Sequence, residues 1–329
     1  MTTTNAQGRT ARDAAKAERR AAWIRRLPLL PALVFTIVLT QVPFLMNIWY
    51  SLTEWKITPP TPRTFIGLEN YVTLVSDPFF LKAVGVTAWM TIGSVALSIL
   101  FGLGIALLLD RQFIGQGFVR TLIITPFLIM PVVAGLVWKT QMFHGLYGVL
   151  NWVLGQVGID SIEFVSRYPL WSIITVLVWQ WTPFMMLIML AGLQSQPSDI
   201  LEAARVDGAS SWGIFRQLTL PHLRRYMELG ALLGTIYLIQ VFDHIDVITG
   251  GGPNSTNLPY FVYRRSIGGG WLFGLASAYS IVVVVASIII ATFSLRVLSS
   301  LLKGEAVSYT HLTLPTTRQR CRYRWAAED

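Results

Sequence analysis

The sequence predicts an all-α membrane protein with six transmembrane helices and both termini in the cytoplasm. Three observations predict it. Of its 329 residues 53% are hydrophobic and only 13% charged, against about 25% charged in a soluble domain. The apolar residues fall in six blocks, 27–52, 83–109, 118–138, 170–193, 226–248 and 274–302, each at or above the roughly 20 residues that cross a hydrocarbon core about 30 Å thick. The basic residues are lopsided. Nineteen Lys and Arg lie in the N-terminal segment, the loops after spans two and four and the C-terminal end, against seven in the other three loops. Basic residues accumulate on the cytoplasmic face, so the net charge of +9 is an orientation signal. No aromatic or base-reading pattern accompanies it, and no nucleic-acid partner is expected.

Residues 1–26 form a basic cytoplasmic tail whose cations sit near anionic lipid. A cleaved leader is the rival reading of the first block, since Arg25-Arg26 precedes it. The apolar core of about 25 residues exceeds the roughly 7–15 of a leader and no Ala-x-Ala site follows, so it reads as a span. The second block carries no charge over 27 residues. Backbone in lipid must pair with itself, which makes all the blocks helices. Pro126 and Pro131 in the third and Pro183 in the fourth predict kinks, because neighbouring helices can re-satisfy the carbonyls that proline frees. In the outer loop 139–169, Leu146, Val149, Leu150, Val153 and Leu154 recur at helical spacing, as in a helix lying on a surface.

The cytoplasmic loop 194–225 is long and organised. Pro197-Ser198-Asp199 predicts a turn and an N-cap, and DILEAARV follows as a helix. Asp207-Gly208 stops it with a left-handed glycine cap. Ser210 or Ser211 caps a second short helix, WGIFRQL, which Leu220-Pro221 ends. Leu201, Val206, Ile214, Phe215 and Leu218 are available to pack inward. A DNA-reading helix–turn–helix is the alternative for such a unit, but one tethered between two spans reaches DNA awkwardly.

The segment Glu202-Ala203-Ala204-x-x-Asp207-Gly208-Ala209, continuing to Leu220-Pro221, resembles the EAA loop of the membrane subunits of bacterial ATP-binding-cassette (ABC) importers. Phe65-Ile66-Gly67-Leu68-Glu69-Asn70-Tyr71, Asp77-Pro78, the run from Thr249 to Thr256 and Gly274-x-Ala276-x-Ala278 are similar to the carbohydrate branch of that family. The resemblance covers about residues 25–303. Two further stretches, ITPFLIMPVVAGLVWK and PFMMLIMLAGLQSQP, look most like polyol permeases of the mannitol–sorbitol type.

The resemblance implies a type I importer permease fold over 27–303 in the bacterial inner membrane. It implies a cytoplasmic coupling helix that docks in a cleft of a separate ATPase. Glu202 would anchor the docking, Ala203 and Ala204 allow close approach, and Asp207 with Gly208 make the turn. The implied partners are a second, homologous permease subunit, two ATP-binding subunits that carry ATP and Mg, and a periplasmic or lipid-anchored solute-binding protein. The last would dock at Gly250, Gly251, Gly252 and Pro253. The chain itself binds no cofactor: it has no G-x-x-x-x-G-K-[ST] sequence. It is a transport subunit rather than an enzyme, with no nucleophile–base or metal constellation. The cargo is a sugar or polyol, with another solute such as glycerol phosphate as the alternative. A stand-alone secondary transporter is the reading from a different class, and it would need no EAA loop.

Polar groups in lipid are costly and face a pathway or a partner helix. Gln180 in span four and Tyr237, Gln240 and Asp243 in span five are the candidate pathway residues; successive members of the last three are three residues apart and so share a helical face. Amide, phenol and the neighbouring Trp179 and Trp181 indoles supply the hydrogen bonds and aromatic faces that a sugar needs. Helix packing or an interfacial position is the alternative for the same residues. Asp243-His244-x-Asp246 has metal-ligand residue types, but no further His or Cys cluster supports a metal and none is expected. Gly230-x-x-x-Gly234 allows close helix contact, within the chain or with the second permease subunit.

After Glu305 the sequence changes character. SYTHLTLPTT resembles a recurrent artefact of metagenomic assembly, in which non-genomic sequence is translated onto a truncated gene. Residues 304–329, which include the sole cysteine, Cys321, are read as a non-native tail, with a disordered basic tail as the alternative.

Overall fold

The computed structural model describes residues 27–60, 62–269 and 271–303. The basic N-terminal tail and the C-terminal tail lie outside the described residues. A 3₁₀ turn, Leu27–Leu29, leads into α1 (Leu30–Ser51), with Pro31 in its first turn, where a missing amide costs nothing. Within α1 the Thr36 and Thr40 hydroxyls donate to carbonyls one turn back, at 2.9 and 2.8 Å. A two-stranded antiparallel hairpin follows, β1 (Thr53–Glu54) and β2 (Thr64–Phe65), with Thr53 opposite Phe65. Next come α2 (Glu69–Ser76) and α3 (Pro78–Leu109). The Asp77 carboxylate caps α3 by accepting the Phe79 amide at 2.9 Å.

Among the described residues four helices are long and apolar enough to cross a membrane: Leu27–Ser51, Pro78–Leu109, Pro169–Gln194 and Phe273–Ile290. The third sequence block is a broken pair, α4 (Gln116–Leu128) and α5 (Pro131–Val137), which makes five if counted as one span. A widened π turn, Trp138–Met142, prolongs α5, and α6 (Val149–Gln156) and α7 (Phe164–Arg167) precede α8 (Pro169–Gln194). The three prolines differ in effect. Pro126 and Pro183 sit inside continuous helices, whereas Pro131 starts a new one. The expected fifth span is interrupted as well. After α9 (Ser198–Val206) and α10 (Ser211–Ile214), α11 runs only Leu220–Leu238, and helix resumes as α12 (Asp243–Ile248). With Arg224, Arg225 and Glu228 in its first half, α11 is too charged to qualify as a span by itself. The chain closes with α13 (Leu258–Ser266) and α14 (Phe273–Lys303).

Each break frees a carbonyl, and each freed carbonyl finds a buried amide side chain. Gln180 Nε2 donates to Ile129 O at 2.7 Å, and Asn257 Nδ2 donates to Val241 O. Both amides are almost fully buried. Backbone at membrane depth is tolerated outside a helix only when protein satisfies it in this way.

The described residues divide into two compact units. The first lies within Met1–Ile92, Met130–Val176 and Ile239–Ser287. Its core gathers Leu74, Phe80, Ala83, Leu258, Phe261 and Tyr279, with the Phe261 and Tyr279 rings edge to face at 5.0 Å. Asp77 is the polar hub of this unit. It pairs with Arg265 at 3.1 Å and accepts the Tyr279 hydroxyl. Asn70, also buried, donates to Ser51 O and Thr53 O at 2.8 and 3.1 Å. Residues of the sugar-importer-like motifs therefore work as buried hydrogen-bonding posts and, at Ala276 and Ala278, as small packing residues.

The second unit comprises Gly93–Ile129, Leu177–Leu238 and, of the last segment Ile288–Asp329, the described part. Ala106 and Leu109 of α3 pack on Met186, Met189, Leu190 and Leu193 of α8 and on Leu223 of α11. Gly230 and Gly234 take up the Met185 side chain: a methyl added at Gly234 would sit 2.7 Å from its Cε. The glycine pair thus serves packing within the chain. By contrast most of α1 is exposed, including Phe35 at 66% and Leu45 at 60%, and only its last residue, Ser51, is buried. An apolar surface that extended suits lipid rather than water.

Candidate functional site

The loop between α8 and α11 carries the EAA-like segment, and none of the residues in its helix α9 is buried. The helix stops as Asp207-Gly208 predicts. Asp207 N and Ala209 N donate back to Ala203 O and Ala204 O at 2.9 and 3.0 Å, and Gly208 takes φ +81° with open space where a side chain would go. The start differs from expectation. Pro197 occupies the cap position and no side chain accepts an amide there; the Ser198 hydroxyl turns to Asp199 instead, at 3.3 Å. Ser210 does cap α10, accepting the Gly213 amide at 3.1 Å.

Leu220-Pro221 does not end the second helix. A π turn, Phe215–Thr219, carries it into α11, with Leu220 N donating to Phe215 O five residues back. The widened turn absorbs the proline that would block an α-helical register. Of the residues expected to pack inward, Ile214 is buried and Leu201, Phe215 and Leu218 are half-buried, but Val206 is 87% exposed. Ile200, Ala203 and Val206 recur three apart and leave an uncovered stripe on α9, with Glu202 also exposed. The ends of the loop are tied together. Ser195 Oγ bonds the Tyr226 hydroxyl at 2.7 Å and His222 Nε2 at 3.0 Å, linking the end of α8 to the first turns of α11. Sequence reasoning missed this clasp; polar residues at both ends of the loop were its only signal.

The glycine run lies between α12 and α13. Gly250 and Gly251 take φ of +59° and +65°, and a methyl on Gly251 would overlap the Tyr260 ring. The turn is laced by side chains. Thr256 Oγ1 and an Arg264 amine donate to Gly251 O at 2.8 and 3.2 Å, and Ser255 Oγ donates to Gly252 O at 2.9 Å. Asn257, fully buried, accepts the Tyr260 amide at 3.1 Å as the cap of α13. Burial first, then the Asp246 carboxylate, raise the Tyr260 phenol above its ordinary pKa, which keeps it neutral. Gly252 is half-buried and Pro253 exposed beside a cleft of about 690 Å³. The cap residue Asn257 stands one position beyond the run that sequence reasoning singled out.

The four candidate pathway residues do not gather on one helical face. The interruption after Leu238 places Gln240 in the break and Asp243 at the start of α12, both exposed. Gln180 is buried and holds the Ile129 carbonyl. Tyr237 is 61% exposed, and its ring lies 5.5 Å from that of Trp181. Trp181 in turn meets Phe127 at 5.7 Å and Phe184 at 5.6 Å, so an aromatic cluster stands where a polar stripe was expected. Three buried hydroxyls on α3, Thr91, Ser94 and Ser98, have no hydrogen-bond partner among the described residues; scattered in an uncharged block, they gave no sequence signal. In the loop 139–169, α6 is the expected surface helix, with Trp152 66% and Leu146, just before it, 92% exposed.

Against this geometry stand four findings of likeness. The family described as "Binding-protein-dependent transport system inner membrane component" matches residues 98–302. A probable ABC transporter permease protein, y4oQ of Sinorhizobium fredii, is 37% identical over 73% of this chain and 78% of its own. The trehalose/maltose transport system permease protein MalF of Thermococcus litoralis is 33% identical over 81% of this chain and 90% of its own. Among solved structures, a chain of a bacterial ABC transporter involved in the import of the acidic polysaccharide alginate shares the fold. Its TM-score is 0.72 at 21% identity, over 87% of this chain and 99% of that one.

Proposed function

The chain belongs to the family of binding-protein-dependent transport system inner membrane components, the ABC-transporter permeases, and from that premise we propose that it is the membrane subunit of an importer for a sugar or polyol. In this reading six spans with both termini in the cytoplasm carry the cargo across a bacterial inner membrane. A second permease subunit, two ATP-binding subunits holding ATP and Mg, and a solute-binding protein complete the transporter. The names of its relatives support the carbohydrate class: trehalose and maltose for one, sulfoquinovosyl glycerol for another that is 31% identical over 83% of this chain.

The observation that carries the reading is α9. Nine residues of helix with none buried, an uncovered Ile200–Ala203–Val206 stripe and a glycine stop make a lever whose outer face meets no other described residue closely enough to be buried. Docked on an ATPase subunit, with Glu202 anchoring, Ala203 and Ala204 in close contact and Asp207-Gly208 turning the chain away, it receives the push of nucleotide-driven closure. The clasp of Ser195, His222 and Tyr226 passes that push to α8 and α11 together. A rigid-body switch of this kind needs a stiff link at the input. Gly250, Gly251, Gly252 and Pro253 form the outer turn on which the solute-binding protein rests. Tyr237 beside Trp181 supplies the aromatic face for sugar along the pathway, with Gln240 and Asp243 as polar neighbours.

The test is Glu202→Ala and Gly208→Pro in the reconstituted transporter. Uptake and the stimulation of ATP hydrolysis by the binding protein should fall at least about tenfold, a loss of roughly 1.4 kcal/mol of coupling. Unaltered uptake with intact stimulation in both variants would sink the reading.

A further inference from the structure

Three of the seven basic residues assigned to the outer loops, Lys82, Arg264 and Arg265, line one cleft of about 690 Å³. The cleft lies against the glycine turn, with Phe79 and Phe261 in its wall and no acidic side chain in its lining. Arg265 is already matched, by Asp77 at 3.1 Å. The other two are not. Arg264 reaches only a neutral partner, the Gly251 carbonyl at 3.2 Å, and Lys82 is exposed with no ion pair among the described residues. Cations are sparse on the outer side of a membrane protein, so their concentration beside one turn calls for a counter-charge.

Resting on the docking role proposed for the glycine turn, we infer that this cleft receives an acidic turn of the solute-binding protein, whose carboxylate pairs with Lys82 and Arg264. Arg264 links the two features: the guanidinium that would meet the carboxylate also holds the Gly251 carbonyl, so seating the acidic turn steadies the docking loop. A neutral sugar brings no counter-charge for Lys82, which has no ion pair among the described residues, or for Arg264, which donates to a neutral carbonyl. At about 690 Å³ the cleft is large enough for a segment of chain rather than a single ion. Exposed charge pairs of this kind act mainly on the association rate and its salt dependence.

The experiment uses the complete transporter in lipid nanodiscs, reading ATP hydrolysis against the concentration of its solute-binding protein. Lys82→Glu should raise the half-saturating concentration about tenfold at low salt. It should also flatten the rise of that concentration which added NaCl produces in the parent. Lys82→Arg should keep both properties of the parent. Gly252→Trp, which fills the same cleft with bulk, separates the two layers of the argument. If it abolishes stimulation while Lys82→Glu changes neither half-saturation nor salt dependence, docking stands and the charge pairing is overturned. If neither variant alters stimulation, docking at this turn falls, and the inference with it. A Lys82→Glu variant that raises the KM for substrate in uptake, with an unchanged half-saturating concentration of binding protein, would assign the cleft to an anionic cargo and overturn the inference.

Discussion

Gly208 and Gly251 both adopt left-handed backbone, at φ +81° and +65°, yet for opposite reasons. Nothing lies within 4 Å of the place where a Gly208 side chain would project, whereas Gly251 is closed in by Tyr260. One glycine ends a helix with no buried residue and one exposed face; the other lets a turn sink into a lattice of Thr256, Ser255, Asn257 and Arg264 bonds. The loop on the side assigned to the cytoplasm is held mainly by backbone bonds at Gly208, with one serine cap at Ser210 and a side-chain clasp at its ends. The outer turn is held by side chains throughout. A loop that must be gripped and moved needs the first construction, and a loop that must present a fixed shape needs the second.

Gly251→Ala should break the comparison most severely. It adds the roughly 1–2 kcal/mol of left-handed strain to a steric overlap, for about 3 kcal/mol or more in all. The thermal midpoint of the purified complex should drop, and in a Tyr260→Ala background Gly251→Ala should cost only the strain, the steric part being gone. Gly251→Ala costing as much in the Tyr260→Ala background as in the parent would show that the ring is not the obstacle. Asn257→Leu comes next. It strips the cap from α13 and leaves the Val241 carbonyl unpaired, at about 1–3 kcal/mol, again read as a fall in thermal midpoint. Gly208→Ala carries the backbone strain alone, about 1 kcal/mol, with Gly208→Asn closer to the parent. For this pair the thermal midpoint should barely move while uptake per ATP falls. Glu202→Ala should be the mildest for stability, within about 0.5 kcal/mol, since the side chain is exposed. Its effect belongs to ATPase stimulation. Were Glu202→Ala to destabilise the complex as much as Asn257→Leu, the two loops would not differ in construction.

The legible parts of the molecule were those governed by local chemistry. Block length announced the four long apolar helices, and the Asp207-Gly208 stop and the Ser210 cap could be read from residue type alone. What escaped was decided by partners distant in sequence. Hydropathy runs straight through Val241, and only a buried amide 16 residues on makes a break there affordable. Gln180 stands out because polar groups in apolar blocks are rare, and its bond to the Ile129 carbonyl, 51 residues back, carries no sequence signal. Leu220-Pro221 looked like a stop because proline ends an α-helix, while a π turn upstream shifts the bonding pattern by one residue. Tyr237 and Gln240 share a face only if the helix continues past Leu238, and it does not.

The two amide-capped breaks also bear on the order in which the chain can be built. Ribosomal synthesis delivers the Ile129 carbonyl 51 residues before Gln180 and the Val241 carbonyl 16 residues before Asn257. The second pair emerges almost together and can enter the bilayer as one piece. The first cannot. Its carbonyl must wait at a watery site, or beside the insertion machinery, until α8 has been made, so the third apolar block and α8 settle into lipid as a couple rather than one after the other.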